Sequence, residues 1–530
     1  MRRALSLGDI MIELFGIFKD NMVLQRDKEI RVFGCCEPGS NVSCGVMDGR
    51  RKKASGSAVA EEDGLFLIRI DPLPAGGPYK LRVSCGKEKV VLSDVYIGDV
   101  WLACGEDNML MPLKMTETPV NASGAIKEDR LHFYRVPLAD ELDEEQAQAE
   151  ADSSWVTVDP QNAGEMSGVA YYFSLELMKK VDCHIGIIGC YALNSGVASW
   201  QSRQALESTP EGRHMASDWD KEVSHITDAE YLREKEDYLR QYASWKKFYD
   251  RVAERSPNEG YDILRKSSGD WPRRYPNGSF SYKRPGGLFE VMILRVFPVN
   301  LKGVIYYQGE TDADDYSDDY APVLGTLINE WRTLLDDSSL PFIICQLPMY
   351  VDRDRKFMGY EDYKWPHLRD EQYRVSKTRK DTYLAILSDC GEFDNLHPID
   401  KKTPGRRLAL LALKEVYGYN DVCATAPYIT DVRKTNGGAE MSFAGDFKML
   451  MLKSTGNSGF EISGMDGVFH PCRAAVDFDG RTVTALSPEV MDPVTVRYAY
   501  FSFGDTSLSS DTGLAVLPFS KNIVRNLSDD

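Results

Sequence analysis

Four short segments hold the polar residues whose types and spacing could do chemistry. The first, Cys104-Gly105-Glu106-Asp107-Asn108, follows an apolar run, Val95 to Ala103, and turns at its glycine into small polar residues. Hydrolytic α/β folds present a nucleophile at such a turn after a strand, but here the candidate position, 107, holds a carboxylate. The other three segments are Gly189–Trp200, Tyr306–Asp315 and Ser388–Leu411, the last of which includes an Asp-x-x-His, Asp394 to His397.

The elements that must position these segments alternate between buried strands and helices from about residue 95 onwards. Apolar runs such as "DVWLAC", "HIGIIGCYA", "LKGVIYYQGE", "PFIICQLP" and "TYLAILSD" are separated by helix-like segments such as "MSGVAYYFSLELMKKV". This alternation predicts a parallel sheet with helices on both faces. All four polar segments follow predicted strands, at the carboxyl edge where open α/β sheets bind ligands.

Short alternating runs broken by Gly and Pro turns flank this layer on both sides, a pattern typical of β domains. We therefore predict an N-terminal β domain at residues 1–95, an α/β domain at 96–420 and a C-terminal β domain at 421–530. The acidic run from Asp140 to Asp152 is expected to be a solvated loop.

A helical insert is predicted within the α/β layer at about residues 205–285. Its aromatic residues recur at steps of seven, four, three and four, which places them on one face of a helix: Tyr231, Tyr238, Tyr242, Trp245 and Tyr249. We expect this stripe to dock onto the main body, and a stripe that faces a ligand is the alternative.

Composition excludes several classes of function. The formal net charge of -18 disfavours nucleic-acid and anionic-membrane surfaces, which need clustered Lys and Arg. No apolar run is long enough to span a bilayer, and no secretory signal is expected. The 11 cysteines have no CxxC spacing and the 7 histidines are dispersed, so we predict free thiols, a cytoplasmic location, no metal and no cofactor.

Together these motifs resemble the sialate O-acetylesterase family of SGNH-type carbohydrate esterases, over nearly the full length of the chain. The resemblance is carried by "FKDNMVLQRDKEIRVFG", "GDVWLACGEDNM", "YYQGETDA" and "NLHPIDKKTPGRRLA", in this order. It implies an SGNH, flavodoxin-like α/β fold and hydrolysis of O-acetyl esters on sialic acids or other sugars. The implied partner is a small molecule or an oligosaccharide; the oligomeric state is left open.

The resemblance also implies roles for single residues. A serine in the first segment would be the nucleophile, with His397 as its base and Asp394 orienting that histidine through a short turn. An oxyanion hole would combine the serine's amide, a glycine of the second segment and the side-chain amide of Gln308. The predicted substrate-binding positions are Glu106, Asn194, Gln308, Gly309 and Glu310. Gln308 and Glu310 could instead simply tie their loop together.

The chain departs from the family at the reacting positions. The family's Ser-Gly-Gln-Ser is replaced by Cys104 to Asp107, and its Trp-Gly-Gly-Thr by Ala192 to Ser195. Asp107 therefore stands for the nucleophile and Asn194 for a glycine. Loss of a triad nucleophile lowers kcat about a millionfold, and loss of an oxyanion donor lowers it roughly a hundred- to a thousandfold. We expect ester hydrolysis to be lost or strongly reduced.

Several alternatives remain open. The chain could be a carbohydrate-binding pseudoenzyme, or a hydrolase that uses a carboxylate pair, Asp107 with Glu310 or Glu106 with Asp394. Cys104 is a weak substitute nucleophile, and we expect a buried structural thiol. The acidic site favours neutral or amino sugars over anionic ones. The aromatic residues considered as stacking platforms are Trp200, Tyr307 and Trp365.

Overall fold

The computed structural model describes residues 12–116, 129–256, 261–269, 272, 274–359, 361, 363–454 and 458–523. The chain is a mixed α/β protein that divides into two compact units. Unit 1 comprises residues 1–311 and 322–342, and unit 2 comprises residues 312–321 and 343–530. The predicted domain boundaries near residues 95 and 420 follow a different division and stay a prediction.

The strands of unit 1 run in chain order as β1 Glu13–Leu14, β2 Val23–Gln25, β3 Ile30–Cys35, β4 Asn41–Asp48, β5 Arg51–Val59, β6 Leu65–Ile70, β7 Gly76–Cys85, β8 Glu88–Gly105, β9 Leu131–Arg135, β10 Val156–Thr157, β11 Ile185–Tyr191 and β12 Gly303–Tyr307. Its helices are α1 Asp107–Leu110, α2 Glu144–Asp152, α3 Gly168–Leu177, α4 Arg203–Leu206, α5 Pro210–Val223, α6 Asp228–Arg255, α7 Tyr261–Ser268, α8 Leu294–Val296 and α9 Tyr320–Leu334, of which Tyr320 and Ala321 belong to unit 2. Short 3-10 helices cover Leu113–Met115, Ala163–Glu165 and Val197–Trp200, and a π-helix covers Phe289–Ile293.

The central sheet of unit 1 has the strand order β10-β9-β11-β8-β12. β8 is parallel to β11 and to β12, and β11 is parallel to β9. Every residue of β11 and of β12 is buried, as expected for parallel strands that are covered on both faces. This arrangement brings the ends of β8, β11 and β12, and the polar segments that follow them, to one edge of the sheet.

β8 is long because it serves two sheets. Its first half pairs antiparallel with β7, whereas Asp99 to Gly105 pair with β11. β4 lies between β5 and β7 and alternates exposed and buried residues, as a sheet with one solvated face does. β8 thus passes through the boundary predicted at residue 95 without a break.

The strands of unit 2 are β13 Phe342–Cys345, of which Phe342 belongs to unit 1, β14 Thr382–Ala385, β15 Tyr428–Thr435, β16 Gly438–Ala444, β17 Leu450–Leu452, β18 Phe460–Ser463, β19 Phe469–Pro471, β20 Arg473–Val476, β21 Thr482–Leu486, β22 Thr495–Tyr498, β23 Leu508–Ser510 and β24 Phe519–Asn522. Its helices are α10 Arg353–Met358, α11 Lys364–Thr378 and α12 Lys402–Leu411, with a π-helix at Ala412–Val416. Two four-stranded sheets, β15-β16-β21-β20 and β19-β18-β22-β24, contribute residues to a shared apolar core that includes Met441, Ile462 and Val496. Within the described residues, no helix of either unit is long and apolar enough to cross a membrane.

Candidate active site

Gly105, the last residue of β8, turns the chain out of the sheet. Its φ is +148°, and a Cβ added there would lie 1.9 Å from the carbonyl oxygen of Tyr307, its neighbour on β12. Only glycine fits such a close approach. The N–H of Glu106 donates to the same Tyr307 oxygen at 3.1 Å, and α1 begins at Asp107. The turn therefore sets Glu106 and Asp107 at the carboxyl end of β8.

Glu106 is buried, with 1% of its surface exposed, and hydrogen-bond donors surround its carboxylate. Oε1 accepts the backbone N–H of Gly309 at 2.9 Å and that of Thr311 at 3.2 Å. Nε2 of Gln308 donates to the same oxygen at 3.2 Å. Oε2 accepts the Thr311 hydroxyl. Glu106 thus binds the third polar segment to the first, and its side chain is held in one position.

A second carboxyl group stands beside Glu106. Burial, the neighbouring Glu310 and then Asp107 raise the pKa of Glu106 well above its ordinary value, while the Thr311 hydroxyl acts in the opposite direction. The side-chain amide of Asn108 donates to Oε1 of Glu310. Three carboxyl groups therefore share this corner, and Glu106 favours its protonated form more than an exposed glutamate does.

Asp107 is buried, with 6% of its surface exposed, and its carboxylate lies against the second polar segment. Oδ2 accepts the backbone N–H of Asn194 at 2.6 Å. The φ of Asn194 is +53°, a left-handed conformation that glycine favours and asparagine tolerates. The acid that stands at the nucleophile position is thus bonded to the backbone amide at the position where the family has a glycine.

Gln308 is fully buried, and its side-chain amide forms hydrogen bonds to protein atoms. Nε2 donates to Glu106 and to the carbonyl oxygen of Ser195, each at 3.2 Å. Oε1 accepts the Tyr306 hydroxyl at 3.4 Å. In this arrangement the side chain ties the third segment to the other two, and its action as an oxyanion donor stays a prediction.

Lys283 is a member of this site that sequence reasoning missed. Its Nζ donates to Oδ1 of Asn194 at 3.3 Å and to the carbonyl oxygen of Tyr275 at 3.0 Å. Burial lowers the pKa of Lys283 to about 8, opposed by the charges of Glu222, Asp107 and Glu106. It lies in "SYKRPGG", at the end of the predicted insert, and no motif of known chemistry singles it out.

Asp394 and His397 lie together on one loop of unit 2. His397 is 3% exposed, and its backbone N–H donates to Oδ1 of Asn395 at 3.2 Å. Within the described residues, the hydrogen bonds and ion pair of the Asp394 carboxylate go to Arg353, from the backbone N–H at 3.0 Å and from Nη2 at 3.0 Å. Asp394 is therefore directed towards Arg353 and not towards the His397 imidazole, and its orienting role stays a prediction.

The other candidate side chains lie in the protein interior. Cys104 is fully buried, and burial followed by the neighbouring Cys190 raises the pKa of its thiol, which disfavours the reactive thiolate. Trp200, Tyr307 and Trp365, the considered stacking platforms, are 0%, 1% and 7% exposed. Trp200 and Tyr307 therefore offer no face to a sugar.

Comparisons with known proteins agree with the motifs. The family profile of "carbohydrate esterase, sialic acid-specific acetylesterase" matches residues 279–397. The sialate O-acetylesterase of Mus musculus is 24% identical over 492 residues, which cover 85% of this chain and 82% of that protein. The human sialate O-acetylesterase is 22% identical over 475 residues, covering 84% and 78%.

A crystal structure of a carbohydrate acetylesterase from Xanthomonas citri has a TM-score of 0.74 and 26% identity to this chain, with 96% of this chain and 99% of that chain covered. The chain is thus a mixed α/β protein similar in fold to a carbohydrate acetylesterase, and Asp107 occupies the position at which the resemblance implies a serine. The resemblance predicted from the sequence is confirmed: the chain is similar to sialate O-acetylesterases over most of its length.

Proposed function

We propose that the chain is a sialate O-acetylesterase-like protein whose ester hydrolysis is lost or strongly reduced and which keeps a carbohydrate ligand. In this proposal residues 96–420 are an SGNH-type domain flanked by β domains. The hydrogen bond from the Asn194 N–H to the Asp107 carboxylate, at 2.6 Å, carries the proposal. It supports a site in which the Asp107 carboxylate stands in place of the nucleophile. The same carboxylate also accepts the Asn194 N–H, at a position where the resemblance implies a donor to the substrate oxyanion.

This hydrogen bond competes with any substrate oxyanion for the Asn194 N–H. A hydrogen bond to a charged group contributes about 1.5–3 kcal/mol, so a developing substrate oxyanion would have to displace a strong ligand before using the Asn194 N–H. The negative charge of Asp107 would also repel that oxyanion. An attack by Asp107 on an acetyl ester would form a mixed anhydride, and a carboxylate with a reference pKa of ~3.9 is a poor nucleophile for that step.

The alternative of carboxylate chemistry has one observation in its favour. Glu310 lies close enough to Glu106 to raise the pKa of Glu106, after the effect of burial, and a raised pKa suits a carboxyl group to the role of general acid. Glu106 is, however, 1% exposed and surrounded by donors. We therefore rank this function second, and a panel of 4-nitrophenyl glycosides tests it by release of 4-nitrophenol.

The test of the main proposal is hydrolysis of 4-nitrophenyl acetate by five proteins: wild type, Asp107→Ala, Asp107→Ser, Asp107→Ser with Asn194→Gly, and Asp182→Ser. Asp182, whose side chain is 101% exposed, provides the matched control for an aspartate-to-serine change. We expect wild type, Asp107→Ala and Asp182→Ser to equal the uncatalysed rate. Activity should appear in the double variant and disappear again when His397→Ala is added.

Two results would contradict the proposal. One is wild-type turnover well above the uncatalysed rate that is lost in Asp107→Ala, because Asp107 would then be a working catalytic group. The other is wild-type turnover that survives Asp107→Ala and is lost in His397→Ala, because another nucleophile would then serve the same base.

A further inference from the structure

Helix α6 of the insert covers a cavity in unit 1. The cavity has a volume of about 300 Å3, and its aromatic lining comes from Tyr238, Tyr242, Trp245, Tyr275 and Tyr282. Ligand pockets commonly have volumes of roughly 300–1,000 Å3 and are lined by apolar and aromatic groups with a few polar ones. The aromatic stripe of α6 therefore has two roles. Tyr231 and Tyr249, at its ends, are buried in the protein, and the three aromatic residues between them line the cavity.

The wall of the cavity is held in place by Asp140. Its Oδ2 accepts the Tyr275 hydroxyl at 2.8 Å and its Oδ1 accepts the Tyr282 N–H at 2.9 Å. Lys235 of α6 forms an ion pair with the same carboxylate at 2.5 Å. Asp140 is 7% exposed, so it is not part of a solvated loop as the acidic run predicted. The aromatic rings are thus positioned before any ligand arrives.

The cavity lies beside the candidate active site. The cavity is lined by Leu193, which precedes Asn194, and by Leu110, the last residue of α1. The hydroxyl of Tyr282 donates to the Leu193 carbonyl oxygen at 3.0 Å. Burial, and then nearby charges that include Asp107, raise the pKa of Tyr282. A molecule in the cavity would therefore lie next to the position where the family carries out its chemistry.

The Tyr238 hydroxyl is a buried polar group that forms no hydrogen bond within the described residues. Its side chain lines the cavity and is only 8% exposed, yet its hydroxyl has no hydrogen-bond partner in the part of the chain that the structure describes. Buried polar groups are almost always paired with protein or water. A hydroxyl-bearing ligand in the cavity would provide the missing partner.

Four of the five charged side chains that line the cavity form ion pairs with each other. Lys114 pairs with Glu165 at 2.6 Å, and Lys246 pairs with Asp250 at 2.6 Å, so these four side chains neutralise each other. Arg135 is exposed, with its guanidinium 5.3 Å from the centre of the Tyr191 ring. It can donate to ligand hydroxyls while water screens its charge.

We propose that this cavity is a subsite for one pyranose ring of a neutral glycan, which stacks on the Tyr242 and Trp245 rings and bonds to the Tyr238 hydroxyl. A pyranose has an apolar C–H face and a hydroxyl edge, which match the aromatic wall and the unpartnered phenol. The inference rests on the carbohydrate binding proposed above and specifies where, and in which chemical class, the ligand is held.

The experiment is titration calorimetry of the full chain with cellobiose, lactose and N,N′-diacetylchitobiose, and with sodium glucuronate as an anionic probe. Binding of at least one neutral disaccharide is expected, with weaker or undetectable binding of glucuronate. Tyr238→Phe removes one hydrogen bond and no ring, so the bound disaccharide should lose about 3- to 10-fold in affinity. Tyr242→Ala removes a stacking face, with an expected loss of roughly 2- to 12-fold.

Phe248→Ala is the matched control, because Phe248 lies on the same helix with 43% of its surface exposed and is not part of the cavity lining. It should bind as wild type does. The inference is overturned if none of the neutral disaccharides binds, if glucuronate binds more tightly than they do, or if Phe248→Ala weakens binding as much as Tyr242→Ala.

The two experiments distinguish an error in the proposed sugar subsite from an error in the proposal that ester hydrolysis is lost. The 4-nitrophenyl acetate assay reports only on Asp107 and its neighbours, and wild-type turnover would overturn that proposal whether or not the disaccharides bind. Absence of disaccharide binding in an inactive protein would overturn the subsite and leave the disabled ester site standing.

Discussion

Replacement of Glu106 by glutamine should stabilise the protein, and more so at higher pH. Glu106 is 1% exposed, and burial with the nearby Glu310 raises its pKa. When the pKa of a carboxyl group is higher in the folded than in the unfolded state, the free energy of unfolding of the protein falls as pH rises between these two pKa values. Each unit of that difference removes about 1.4 kcal/mol from the free energy of unfolding. Glutamine carries no charge and removes this loss.

The hydrogen bonds of Glu106 can be kept in Glu106→Gln. The amide oxygen can accept from Gly309, Thr311 and Gln308, the three donors that reach Oε1. The amide N–H can face the Thr311 hydroxyl, which donates to Oε2 in the wild type and is able to accept instead. The second amide hydrogen and the Thr311 hydroxyl proton then need other acceptors, but that cost does not change with pH, so the pH dependence of the difference reports on the charge.

The assay is urea unfolding, followed by tryptophan fluorescence, at about pH 5.5 and about pH 8.5. The free-energy advantage of Glu106→Gln over wild type should be larger at the higher pH, by about 1.4 kcal/mol for each unit of the pKa difference crossed. Glu234→Gln, at an exposed position of α6, should show no such difference. An advantage that is equal at both pH values, or larger at the lower one, would refute the reasoning.

Two further predictions concern the same corner of unit 1. Gly105→Ala should lower the free energy of unfolding by about 2–4 kcal/mol, because its Cβ would meet the Tyr307 oxygen at 1.9 Å. Gly86→Ala, at φ +56° with nothing within 4 Å, should cost only about 1 kcal/mol, and equal losses in urea unfolding would contradict the close approach. Acetic anhydride labelling of Lys283, followed by peptide mass spectrometry, should have its midpoint at a pH of about 8. The midpoint should be lower in Asp107→Asn, because this variant lacks the negative charge that favours the lysine cation. A midpoint equal to that of the other lysines would show that burial does not lower the pKa of Lys283.

The parallel layer was predictable because its strands are continuous apolar runs. "HIGIIGCYA" and "LKGVIYYQGE" contain β11 and β12, in which every residue is buried, and "MSGVAYYFSLELMKKV" contains α3. Such runs are unambiguous because covered parallel strands have no solvent face. The role of β8 in two sheets could not be found this way, since pairing partners distant in the chain leave no local signal.

Side chains that bond across long sequence distances account for what the sequence could not predict. Asp140 lies in an acidic run typical of a solvated loop, but its partners Lys235, Tyr275 and Tyr282 are far away in the chain. The polar segments were found by motif and local order alone. The bond between Asp107 and Asn194 depends on how two loops meet, and periodicity carries no information about that.

We propose that the carboxylate of Asp107 closes the acyl-enzyme route, and one measurement tests this directly. Wild-type protein is quenched during incubation with 4-nitrophenyl acetate, digested, and mapped by mass spectrometry for acetyl groups on the peptide that contains Asp107. We predict that this peptide stays unmodified in the wild type and becomes acetylated on serine in Asp107→Ser with Asn194→Gly. An acetyl group on the wild-type peptide that forms and decays at the rate of ester turnover would contradict the account.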